Sequence, residues 1–129
     1  MSNIKENIGL IQEQIRQAAL RAGRDPAGVK LIAVSKTRTV AEIEEALACG
    51  IRDFGENRVQ ELRSKAPLLA EKGPTWHLIG TLQTNKVKQA LEWAELIHSL
   101  DRVSLLEELV KQAERRGRPC DVLVQVNVS

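Results

Sequence analysis

Five short apolar runs, rich in β-branched residues, alternate with amphipathic stretches along this chain, and few folds accept that rhythm. The runs cover residues 29–37, 51–57, 76–80, 96–100 and 122–128. A strand apolar on both faces is one buried on both, as in a parallel sheet. Between the runs, apolar residues recur at helical spacing. Ile4, Ile8, Ile11, Ile15 and Ala18 mark a helix from residue 3 to about 22, which Asn3 and Glu6 cap and Gly23 stops. Thr39-Val40-Ala41-Glu42 is a capping box opening a helix through Ile43, Ala46 and Leu47, closed by Gly50. Val59, Leu62 and Ala66 mark a third helix, residues 84–93 a fourth, and Leu105, Leu106, Leu109, Val110 and Ala113 a fifth, capped by Asp101 and stopped by Gly117.

Such an alternation, with no hairpin signal between apolar runs, predicts an α/β fold with a parallel sheet. A doubly wound open sheet and a (β/α)8 barrel both satisfy it. The barrel is favoured because no glycine-rich phosphate loop follows the first strand and because every strand end carries polar groups. These are Ser35 and Lys36, Glu56 and Asn57, Gly80 and Thr81, Ser99 and Asp101, and Asn127 and Ser129. In a barrel they converge on the C-terminal face, where active sites of that fold lie. A complete barrel takes about 250 residues, so residues 1–129 are expected to be the N-terminal part of a single barrel domain, cut after strand five.

Charge excludes other classes. Lys plus Arg number 19 against 17 Asp plus Glu, a formal charge of +2, which provides no field for nucleic acid or an anionic membrane. Arg115-Arg116-Gly117-Arg118 suits a helix C-terminus. Cys49 and Cys120 lack metal-ligand spacing and read as reduced, buried thiols of a cytoplasmic protein. The N-terminus has no secretory h-region, and no stretch is long enough to span a membrane.

Lys36 closes the first apolar run. An amine there is solvated on one side and desolvated on the other, which is how a lysine becomes a Schiff-base nucleophile. The ordinary alternative is a lysine snorkelling off a strand end. Arg38 and Lys86, if their loops meet Lys36, would repel a proton from it. His77 and Ile79 lie two apart in strand three and share a face; the ordinary role of such a histidine is a hydrogen-bonded core residue. Asn57 reads equally as a neutral hydrogen-bonder at the strand end or as the cap of the next helix. Trp76 and Trp93 read as packing between sheet and helices.

Leu31-Ile32-Ala33-Val34-Ser35-Lys36-Thr37, Phe54-Gly55-Glu56-Asn57 with Val59-Gln60-Glu61, Trp76 through Lys86, Ser99-Leu100-Asp101 and Val124 through Ser129 together resemble the pyridoxal phosphate homeostasis protein family. The resemblance implies a barrel like the N-terminal domain of alanine racemase, binding pyridoxal 5'-phosphate as an internal aldimine on Lys36. It implies no established catalytic turnover; beside that cofactor, Asn57 at the neighbouring strand end suits the phenolic oxygen, His77 and Ile79 facing inward would contact the ring, and no metal is expected. It further implies a cytoplasmic carrier or regulator of free cofactor, with apoenzymes as the expected recipients and a monomer as the expected state. Family members continue into Ser-Met-Gly-Met-Ser and Val-Arg-Ile-Gly blocks, expected to hold the phosphate and face the pyridine nitrogen; these are absent here. Two alternatives use the same lysine: a pyridoxal phosphate-dependent racemase or decarboxylase, and a cofactor-free Schiff-base aldolase. An alanine-type racemase commonly takes its second base from a tyrosine, and this chain has none.

Overall fold

The computed structural model describes residues 3–128. Five parallel strands, β1 (Ile32–Val34), β2 (Asp53–Glu56), β3 (Thr75–Leu78), β4 (Ala94–Leu100) and β5 (Asp121–Val124), lie in sequence order in one sheet. Helix α1 (Ile4–Arg21) precedes them, and α2 (Val40–Ala48), α3 (Val59–Lys65), α4 (Val87–Leu91) and α5 (Val103–Arg116) separate them. Consecutive neighbours in strictly sequential order are the topology of a barrel wall; a doubly wound sheet would reverse its order midway.

Every expected element is present, with shifted ends. The first strand is three residues long, not nine. It stops because Thr37 adopts a left-handed φ of 62°, which breaks the extended chain and leaves Lys36 in a turn. The third helix yields at Ala66 to a 3-10 stretch, Ala66–Lys72, because Pro67 has no N–H to continue the α-helical ladder. The fourth begins as a 3-10 turn, Thr84–Lys86, and its α-helix ends at Leu91, short of Trp93.

Caps differ too. The Thr39/Glu42 capping box forms as expected, with Glu42 N–H to Thr39 Oγ1 at 3.1 Å and Thr39 N–H to Glu42 Oε1 at 3.0 Å. Asn3 occupies the N-cap of α1 without a side-chain capping bond. Asp101 does not cap α5: Arg102 holds that position, and Asp101 accepts from Arg102 Nη1 at 2.9 Å. Gly117, at φ 72°, ends α5 as expected.

The core lies between the sheet and the helices. Phe54, Trp76, Leu78 and Ile97 pack there with Ile43, Leu62, Leu69, Val87, Leu105 and Leu109, all at most 3% exposed. Trp93 packs against the cluster's edge. On α1, Ala19 is buried in place of Ala18, and Ile11 is exposed. Cys49 and Cys120 are free thiols but half-buried, and burial pushes the Cys120 thiol upward. No helix among the described residues is long and apolar enough to cross a membrane.

Candidate functional site

Register places the sequence-predicted residues along one edge. Val34, Gly55 and His77 stand abreast on β1, β2 and β3. The ladder runs one bond beyond: Ser35 N–H donates to the Gly55 carbonyl and Ile79 N–H to the Glu56 carbonyl, each at 2.9 Å. Lys36, Asn57 and Ile79 are each two residues further along, so they gather at the C-terminal ends of three adjacent strands.

Lys36 is exposed, and its amine has no hydrogen bond or ion pair among the described residues. Arg38 instead turns to Glu42 at 3.4 Å. Lys86 lines, with Asn57, Arg58, Arg63, Thr81 and Gln83, a cavity of about 670 Å³ that Lys36 does not line.

The structure gives Asn57 no capping role. The N-cap of α3 is Arg58, without a side-chain capping bond. Asn57 is half-buried and its amide makes no hydrogen bond among the described residues, so its donors and acceptor are available to a ligand.

Ile79 closes over Gly55: a Cβ on Gly55 would stand 3.2 Å from both Cδ1 and Cγ2 of Ile79, and 3.4 Å from Cγ2 of Ile32. The missing side chain leaves room for Ile79 and Ile32 above the strand, where they form an apolar floor.

His77 shares this face but lies one pleat deeper, 2% exposed. Its Nε2 is 2.9 Å from Asp53 Oδ1 and its Nδ1 is 3.0 Å from His98 Nε2. The Asp53 carboxylate accepts from His77 Nε2–H, and the tautomers set which ring donates between His77 Nδ1 and His98 Nε2. Burial first, and His77 second, push the His98 pKa down, which favours the neutral form of His98. His98 has no motif of its own, and Asp53 is one carboxylate among many, so only the sheet register brings the three side chains together. Two further residues were given no role in the sequence reading: Lys65, and Glu61, which entered it only as part of a family block; their Glu-to-Lys spacing of four on α3 was the local signal.

Known proteins resemble this chain in sequence and fold. Residues 2–129 match the family described as alanine racemase, N-terminal domain. A pyridoxal phosphate homeostasis protein of Pseudomonas aeruginosa is 46% identical over 129 residues, covering 100% of this chain and 56% of that protein. The protein of that name from Aquifex aeolicus is 44% identical over 98% of this chain and 55% of its own length. The chain thus spans about half the length of the curated relatives it matches. Among solved structures, an unknown protein from Bifidobacterium adolescentis superposes with a TM-score of 0.88 at 34% identity, covering 94% of this chain and 53% of that one. PipY of Synechococcus elongatus, solved with PLP bound, superposes with a TM-score of 0.77 at 45% identity over 92% of this chain and 55% of its own. The five parallel strands and the helices between them correspond to the first half of the barrel these proteins share. By its sheet order and a match along nearly its whole length, this chain belongs to the alanine racemase N-terminal domain family.

Proposed function

We propose that these residues form the lysine-bearing side of a pyridoxal 5'-phosphate site in a protein that holds the cofactor and passes it on. The observation that carries this reading is Lys36: an exposed amine with no carboxylate partner, at the C-terminal ends of parallel strands, beside an uncommitted amide and an apolar floor. That donor set fits the group. Lys36 offers a nucleophile for the aldehyde, Asn57 a neutral partner for the phenolic oxygen, and Ile79 a contact to the ring. When bound, the cofactor supplies an electrophilic aldehyde, and covalent attachment joins the amine nitrogen to the aldehyde carbon with loss of water. His77, its nitrogens committed to Asp53 and His98, offers its ring from below. The PLP bound in Synechococcus elongatus PipY and the name shared by the curated relatives support this reading.

The role is storage and delivery in the cytoplasm, by a monomer that hands cofactor to apoenzymes, without turnover of its own. Purified intact protein mixed with pyridoxal phosphate develops an absorption band near the visible edge. Borohydride abolishes the band and leaves a stable adduct on Lys36, located by peptide mass; Lys36→Ala loses the adduct at that position. A protein that stays colourless and takes up no cofactor sinks the reading. Racemisation or decarboxylation of amino acids at about 1 per second or faster, within the usual range of enzymes, would establish an enzyme instead.

A further inference from the structure

A buried charge cluster grips the turn that carries Lys36 from both sides. Lys65, on α3, is 8% exposed, and its Nζ donates to the Ser35 carbonyl at 2.7 Å, to Glu56 Oε2 at 2.9 Å and to Glu61 Oε2 at 3.0 Å. Ser35 Oγ also donates to Glu56 Oε2, and Arg38 N–H to the Ser35 carbonyl at 3.0 Å. Every polar group of Ser35 is therefore engaged. On the other side, Thr37 N–H donates to Glu61 Oε2 at 2.9 Å.

This arrangement serves stability poorly. Glu56 is fully buried, and its Oε1 has no partner among the described residues. Buried ion pairs with unused hydrogen-bonding capacity stabilise less well than apolar side chains of the same volume. Thr37 is a β-branched residue held in the left-handed region, where such residues are rare and strained. The bonds converge on residues 35 and 37, and the residue between them stays exposed. Strain and buried charge are concentrated where they determine the direction of one side chain.

We propose that Glu61 and Lys65 are positioning residues for Lys36: through the backbone of Thr37 and Ser35 they hold the turn that aims its amine across the strand ends. This deepens the reading of Lys36 as the attachment site and rests on it. Glu61 is the residue to change, because its side chain is 28% exposed and its loss leaves the Lys65–Glu56 pair in place. Glu61→Ala removes the acceptor of the Thr37 amide; Glu61→Gln keeps an acceptor oxygen.

The test uses intact apo-protein mixed with pyridoxal phosphate, following band formation and then trapping the product with borohydride for peptide mass analysis. Glu61→Ala slows adduct formation at Lys36 about tenfold, as loss of one charge-assisted bond does, and shifts part of the trapped cofactor to other lysines. Glu61→Gln recovers a rate within about threefold of the parent, since a neutral acceptor retains much of the bond. A folded Glu61→Ala that forms adduct at the parent rate, all of it on Lys36, overturns the proposal and leaves the attachment reading intact. A parent protein that forms no adduct at Lys36 removes both. Should Glu61→Ala not fold, hydrogen exchange at the Thr37 amide of the parent decides: slow exchange supports the clamp, and exchange at the rate of a free amide overturns it.

Discussion

Gly80 lies against the backbone of Asn57, so close that a Cβ on Gly80 would stand 2.4 Å from the Asn57 carbonyl oxygen and 3.0 Å from its Cα. The ends of the second and third strands are thereby locked together, and the Asn57 side chain takes its place at the rim from this contact. Gly80→Ala must displace backbone, not a flexible side chain. We expect a loss of about 1–3 kcal/mol, the usual range for overpacking, with a weaker grip on cofactor than Lys36-distant variants of equal stability show. Denaturant unfolding and cofactor titration of the intact protein check the two parts separately.

Phe54 anchors the helix-covered face of the sheet. It is 1% exposed, and its ring lies 5.9 Å from that of Trp76 on the neighbouring strand. Phe54→Ala should cost about 3–5 kcal/mol, from lost transfer energy and the cavity left behind. A urea midpoint within experimental error of the parent's would contradict this account of the core.

The His77–His98 pair predicts a pH dependence. Burial holds the His98 pKa below its ordinary value, so the unfolded chain binds a proton that the folded chain refuses. The stability this group contributes is present above the unfolded value of about 6.5 and is lost as pH falls from there toward the depressed folded pKa. Melting temperatures measured from pH 7.5 down to pH 5.5 should fall, and His98→Gln should flatten that slope. An equally steep decline in the variant would assign the effect to other groups.

Glu61 adds a second, lower window. The Thr37 amide first, and Lys65 next, hold its carboxyl below the usual carboxylate range. Its contribution is present above the unfolded value of about 4.3 and disappears as pH drops through the lower folded value. Thr37→Gly relieves the left-handed strain and shifts stability by no more than about 1 kcal/mol in either direction, because glycine's greater unfolded entropy offsets the relief. Thr37→Val, which keeps the branching, leaves the strain in place. Thermal unfolding of the two variants side by side tests this.

The alternation of strands and helices was legible because it depends on local periodicity: Ile43, Ala46 and Leu47 lie on the buried face of α2, as their spacing requires. Lys36, Asn57 and Ile79 could be placed at strand ends for the same reason. The ends of elements were less legible. Pro67 and the left-handed Thr37 set boundaries that apolar runs do not mark, and Asp101 has a capping residue's chemistry without its geometry.

What the amino-acid order determined by itself was the rhythm of the fold and the lysine at the end of its first strand, since both follow from the period of the apolar residues and the chemistry of one side chain. Only the tertiary structure decided which groups act on them. Asp53, His77 and His98 come from three strands, and Ser35, Glu56, Glu61 and Lys65 from two strand ends and a helix. The register of parallel strands, set by packing along the whole sheet, brings such residues within 3 Å of one another, and no local spacing encodes that register.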